Sequence, residues 1–524
     1  MSDKGEGKQK RQGVARSAGI VSGFTMLSRV LGLVRDVTIA SIFGATMGAD
    51  AFFVAFKVPN FMRRLFAEGA FAQAFVPVLT EYKATRSHDE VQELVNYVAG
   101  TLAAILGLLT VVAVFTAPWL IVVFAPGFVS EPDKLHLAGE MLRITFPYLL
   151  FISLTAFAGS VLNSYGRFAV PAFAPILLNI CLISAALWFS PLFSQPIVAL
   201  AWGVLIAGIF QLLLLLPFLA RIRLFPRPKL SMFGPQQHEG VRQIMTLMLP
   251  ALFGVSVSQI NLLLDTVLAS FLETGSVSWL YFSDRLVELP LGVIGIALAT
   301  VILPSLSEKH AAKSPDAFAK TLDWAMRMVI LVGVPAALAL FVLAEPIITV
   351  LFHRGEFDAH SVVMSAQSLR AYSLGLLAFM LIKVLAPGYF ARQDTKTPVK
   401  IGIKAMAANM VLNLLLIWPL AHVGLALATS ISAFMNAAWL LLGLHRQGVF
   451  HFQAGWGVFL LRLVLASSAM LGAILFQWSD LQQWLDWGLF DRIWNMSVLV
   501  FSGAGSFLLV FYLLGGRYKD VMAH

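Results

Sequence analysis

The chain alternates long apolar runs with short polar turns, as a helical protein that crosses a membrane many times would. A helix needs about 20 apolar residues to cross the hydrocarbon. Fourteen segments qualify, at roughly 17–44, 48–82, 92–123, 136–165, 170–192, 196–221, 240–272, 276–308, 318–345, 359–391, 398–418, 423–445, 456–478 and 490–516. The turns between them alternate in charge. One set carries Lys83, Arg86, Arg167, Arg221, Arg223, Arg227, Lys229, Lys309, Lys313, Arg392, Lys396, Lys400, Arg446, Arg517 and Lys519; the other holds little beyond Lys134, Arg354 and Arg492. The positive-inside rule makes the first set cytoplasmic. Fourteen spans then place both termini on that side. The polar, basic stretch from Met1 to Arg16 reads as a cytoplasmic tail, not a cleaved signal.

The pattern repeats internally at an offset of 227 positions. Pro77, Leu79 and Glu81 pair with Pro304, Leu306 and Glu308; Pro171 pairs with Pro398; Ala199-Leu200-Ala201 pairs with Ala426-Leu427-Ala428. Six helices per repeat give both halves the same orientation, the arrangement of parallel-repeat transporters. The expected organisation is a tail (1–16), a first six-helix lobe (17–222), a cytoplasmic linker (223–239), a second lobe (240–447), two further spans (448–516) and a short tail (517–524). The fold class is therefore an all-α polytopic membrane protein with two pseudo-symmetric lobes around a central cationic cavity.

Composition narrows the function. Of 524 residues, 59% are hydrophobic and 12% charged, which excludes a soluble globular domain. The net charge of +9 sits in the turns, as topology requires, so no nucleic-acid partner is implied. The single cysteine, Cys181, lies in an apolar run and excludes a disulfide framework or a cysteine metal site. No Walker sequence and no nucleophile elbow is present.

What remains is charge inside the spans, which costs about 2.5–3.5 kcal/mol per group on insertion scales. The first span contains Arg29, Arg35 and Asp36. Arg29 and Asp36 share a helix face with Gly32 between them, and either a buried ion pair or an anion-binding pair of arginines follows. In the second span, Asp50, Lys57, Arg64 and Glu68 form one stripe, interrupted by Pro59 and flanked by Asn60 and Arg63. Both signs are present, so gating and interlobe pairing compete there with cargo contact. The eighth span carries Asp284, Arg285 and Glu288, with Arg285 the second-lobe counterpart of Arg29 and Arg35. The planar arginine fork suits phosphate or diphosphate better than a lysine does. Lys383 is expected to be a further buried cation. Asp265, with Asn409 and Asn413 one turn apart and Thr429 beyond, suits either a hard cation such as Na⁺ or a protonated acid bonded to its neighbours.

Several of these runs are specific enough to suggest a family. Ser28-Arg29-Val30-Leu31-Gly32-Leu33-Val34-Arg35-Asp36, Ala49-Asp50-Ala51-Phe52 through Lys57-Val58-Pro59-Asn60, and Arg63-Arg64-Leu65-Phe66-Ala67-Glu68-Gly69-Ala70-Phe71 resemble the MurJ (MviN) lipid II flippases. So do Val170-Pro171-Ala172-Phe173-Ala174-Pro175, Asp284-Arg285-Leu286 and the stretch from Ala386 to Pro398. The resemblance covers nearly the whole chain. It implies a bacterial inner-membrane protein, of the multidrug and polysaccharide-lipid exporter superfamily, that moves lipid II to the periplasmic face. That cargo is an undecaprenyl-diphosphate-linked disaccharide-pentapeptide.

The resemblance also assigns roles. Arg29, Arg35 and Arg285 match substrate-binding arginines. Asp36, Asp50 and Arg63 match gating and interlobe positions, and residues 448–516 match a groove for the lipid tail. Asp265, Asn409, Asn413 and Thr429 match the side-chain ligands of a sodium site that some members carry; Asn413 stands where an acid can occur. No other cofactor is expected, and cell-wall synthesis machinery is an expected partner. The expected mechanism is alternating access without ATP, driven by an ion gradient or the membrane potential. Three alternatives stay open: a flippase for another polyprenyl-diphosphate-linked saccharide, a membrane enzyme acting on such lipids, and a structural scaffold for division machinery.

Overall fold

Apolar side chains in runs this long satisfy their backbone only as helices when water is absent, and the described residues contain helices and no strand. The structure, a computed structural model, describes residues 3–231, 238–292 and 296–516. The expected tail at 517–524 and the centre of the expected linker, 232–237, lie outside that set, as do the side chains at 3–18, 66–68, 253–258, 261–262 and 296–301.

The helices are α1 (Asp3–Phe43), α2 (Met47–Arg63), α3 (Ala72–Thr85), α4 (His88–Phe115), α5 (Ala117–Phe124), α6 (Pro132–Thr145), α7 (Tyr148–Ser164), α8 (Ala169–Ser184), α9 (Val198–Arg221) and α10 (Glu239–Ala269). They continue as α11 (Ser276–Pro290), α12 (Ile296–Ala311), α13 (Pro315–Val342), α14 (Ala344–Phe352), α15 (Ala359–Phe390), α16 (Lys396–Arg446), α17 (Trp456–Phe476), α18 (Leu481–Asp486) and α19 (Leu489–Leu513). Among the described residues, nine helical runs are long and apolar enough to cross a membrane. One of these, α16, contains two of the expected spans. Its axis breaks at Ala421, whose backbone leaves the helical region (φ 47°, ψ −129°) two residues after Pro419.

The internal repeat is visible in the helix boundaries. His88 and Pro315 open α4 and α13; Ala117 and Ala344 open α5 and α14; Pro132 and Ala359 open α6 and α15; Ala169 and Lys396 open α8 and α16. Every pair is separated by the same 227 positions.

Contacts divide the chain into two compact units, Met1–Thr274 and Gly275–His524. In the first, α1 packs on α8, α8 on α9, α7 on α9, and α2 on α6. Its core near α3, α4 and α7 is built from Phe71, Phe75, Leu79, Val95, Phe157 and Leu162, all buried. Helix α10 belongs to this unit because it lies along α3 and the turn before it. The contact boundary thus falls later than the expected linker at 223–239. In the second unit, α15 packs on α11, α13, α14 and α16, and α17 pairs with α19. Met470, Ile474, Trp484 and Leu499 fill the core between the last helices.

Candidate functional site

Between α2 and α3 the chain forms a π-helical stretch, Arg64–Phe71. A π turn spends an extra residue per turn, so the 3.6-residue register of α2 does not continue past Arg64. Asp50 is buried and Lys57 exposed; Asn60 and Arg63 are half-buried, and Arg64 is exposed. The side chain of Glu68 lies outside the described residues. Arg63 donates from Nε to Asn60 Oδ1 at 3.3 Å. These residues do not face one environment.

The first helix carries the main cluster. Arg35 and Asp36 are 6% and 2% exposed. Arg35 donates from Nε and Nη2 to Asp36 Oδ1 at 3.0 and 2.7 Å, and from Nη1 to Asn179 Oδ1 on α8 at 3.1 Å. Asp36 thus pairs with its chain neighbour Arg35, and not with Arg29, which shares its helix face. A long guanidinium arm can fold back across 100° of helix, which spacing alone does not count. Arg29 is half-buried and makes no hydrogen bond or ion pair among the described residues. An anion is a ligand that would compensate its positive charge.

Asp50 has a partner that the sequence reading left in a turn. Lys134, at the start of α6, lies 3.3 Å from Asp50 Oδ2, and both side chains are 1% exposed. Lys134 Nζ also donates to Thr274 Oγ1 at 3.0 Å and sits over the Phe128 ring. Thr274 Oγ1 donates to Glu131 Oε2, and Gly127 N–H donates to Ser270 Oγ at the end of α10. The signal available was an isolated lysine just before an apolar run.

In the second unit, Arg285 is half-buried. It donates to Glu288 Oε2 at 2.9 Å and lies over the Tyr281 ring, while Asp284 is exposed. Lys383 is exposed, a correction to its expected burial, because α15 turns that face away from its packed neighbours. Asn409 and Asn413 are wholly buried. Ser432 Oγ donates to Asn409 Oδ1, and Thr429 Oγ1 donates to the Leu425 carbonyl. Asp265 is half-buried and belongs to the first unit. The oxygen-only donors on α16 are chemically suited to a hard cation. Among the described residues no group of three or more His, Cys, Asp or Glu could hold a metal ion.

Long apolar helices in a duplicated chain define a polytopic membrane protein. A solved structure described as an inward-facing multidrug resistance MATE family transporter of the MOP superfamily shares that fold, with a TM-score of 0.67 over 82% of this chain and 98% of that one at 14% identity. The family model for the lipid II flippase MurJ matches residues 39–495. The probable lipid II flippase MurJ of Vibrio cholerae is 50% identical over 97% of each chain, and that of Haemophilus influenzae is 48% identical over 95% of this chain and 99% of that one. A solved lipid II flippase MurJ in an inward closed conformation superposes with a TM-score of 0.79 at 27% identity, covering 96% of this chain and 99% of that one. The chain belongs to the lipid II flippase MurJ family.

Proposed function

We propose that this protein moves lipid II from the cytoplasmic to the periplasmic face of a bacterial inner membrane, with both termini cytoplasmic. The observation that carries the reading is relatedness along the whole chain, 50% identity over 97% of each sequence, to a probable lipid II flippase. The site chemistry agrees with it. A diphosphate must exchange its water for other donors before it crosses hydrocarbon, and arginine forks supply them in bidentate geometry. The reading assigns diphosphate capture to Arg29 and Arg35 in the first repeat and Arg285 in the second. It assigns gating to Asp36, Asp50, Lys57, Asn60, Arg63, Arg64, Glu68, Asp284 and Glu288. The repeats correspond to lobes at 17–222 and 240–447, and 448–516 holds the prenyl tail.

The cycle is alternating access without nucleotide hydrolysis. Moving one charge through 100 mV is worth about 2.3 kcal/mol, enough to bias it. An ion gradient is the other source, with Na⁺ bound by Asp265, Asn409, Asn413 and Thr429. Cell-wall synthesis enzymes are the partners that would consume the exported cargo.

The test is complementation in cells depleted of their own lipid II flippase, with lipid II at the outer face quantified. Wild type is expected to restore exposure, and Arg29→Ala, Arg35→Ala and Arg285→Ala to fail at matched membrane levels. A wild-type protein that inserts but exports no lipid II shifts the cargo to another lipid-linked saccharide. Variants that all export normally remove the arginines from the mechanism.

A further inference from the structure

The side chain of Asn179 on α8 is 5% exposed and bonds two points of α1 at once. Its Oδ1 accepts from Arg35 Nη1 at 3.1 Å, and its Nδ2 donates to the Ser28 carbonyl at 2.9 Å. Gly32 lies between those points on α1, and a Cβ there would stand 3.9 Å from the Asn179 amide, at ordinary contact. The amide therefore has room to sit against the helix backbone at that turn. An Asn side chain offers one acceptor and two donors on a planar fork. Here the acceptor holds the guanidinium and a donor holds the backbone one helical step before Arg29.

We infer that Asn179 is a positioning residue for Arg35, fixing the guanidinium plane, and with it the α1 segment carrying Arg29, for capture of a diphosphate. Asp36 Oδ1 accepts both Nε and Nη2 of Arg35 from the same helix. Asn179 holds Nη1 from a different helix and is itself tied to the Ser28 carbonyl, so it couples the fork to the α1 backbone. Preorganised donors cost less ordering on binding than mobile ones. Because Asn179 is neutral, it orients the guanidinium without adding a negative charge beside it. The inference rests on the lipid II reading of the same helix.

The experiment uses the purified full chain in proteoliposomes with lipid II as the probe, following transport against lipid II concentration. Asn179→Leu, close in size but without either bond, is expected to raise the half-saturating concentration about tenfold, the scale of one hydrogen bond to a charged group. The maximal rate should stay within about twofold. In an Arg35→Lys background, which keeps the charge but loses the fork, the same substitution should shift half-saturation less than about twofold. A fall in maximal rate at unchanged half-saturation would mean that Asn179 only supports folding, and overturns the inference. So does an equal shift in both backgrounds. A wild-type protein that moves no lipid II in the same vesicles overturns the functional reading itself, and this inference falls with it.

Discussion

Lys134 Nζ and Asp50 Oδ2 lie 3.3 Å apart with both side chains 1% exposed, joining the start of α6 to the first turn of α2. Asp50 also sits where the helix dipole favours an acid, with Thr46 as the N-cap. Removing one partner of a buried pair strands the other and costs about 3–5 kcal/mol, whereas replacing both with neutral groups is often tolerated. Lys134→Met is thus expected to lower the thermal unfolding midpoint in detergent sharply. Asp50→Asn combined with Lys134→Met should recover much of the loss. A double variant as unstable as the single one would show that the pair is not what holds these helices.

Arg29 and Arg35 should separate under the same measurement. Arg35→Gln removes a charged partner from buried Asp36 and from Asn179, so it costs stability, on the order of 1.5–3 kcal/mol for one charged hydrogen bond. Arg29→Gln removes no such bond and is expected to leave the unfolding midpoint within about a degree while abolishing lipid II export. Equal midpoints for both variants would contradict the geometry of α1.

Arg492 ties the last two helices to α14. It donates to the carbonyls of Trp484, Leu485 and His353 and to His353 Nδ1, all within 3.0 Å. Lysine offers a point charge in place of this fork. Arg492→Lys is expected to destabilise nearly as much as Arg492→Ala, by about 2–4 kcal/mol for the lost charged bonds. Limited proteolysis near residue 486 would register the loosening; full protection in the lysine variant would refute it.

His353 gives a pH dependence. Burial first, and then the neighbouring Arg492 guanidinium, hold its imidazole below the usual histidine range. The unfolded chain therefore binds a proton that the folded chain refuses. Stability is complete above the ordinary histidine pKa, near 6.5, and is lost as pH falls below it. Unfolding midpoints measured from pH 8 to pH 5 should decline, and the slope should flatten in His353→Asn. An unchanged slope in that variant would assign the dependence to other groups.

Apolar runs and charged turns are one-dimensional signals, and they are enough to identify an all-helical membrane chain and its 227-residue duplication. The family followed from short motifs around Arg29, Arg35, Asp50 and Arg285. What spacing could not provide was the opposite wall of each contact. Helical periodicity says which residues share a face, not which helix that face meets. Asn179 binds Arg35 across 144 positions, and Lys134 reaches Asp50 from a segment read as a turn. Within the regular part of α2, Asp50 is buried and Lys57 exposed although spacing put them on one face, and the π-helical stretch at Arg64–Phe71 ends the uniform 3.6-residue period beyond them. Arg35 turned to its neighbour Asp36 because a flexible side chain chooses its partner from the three-dimensional surroundings. The sequence by itself determined which charges fall within the apolar runs; tertiary packing decided which of them are buried, as Arg35, Asp36 and Asp50 are, and which stay exposed, as Lys57, Asp284 and Lys383 do, because burial depends on which helix covers a face.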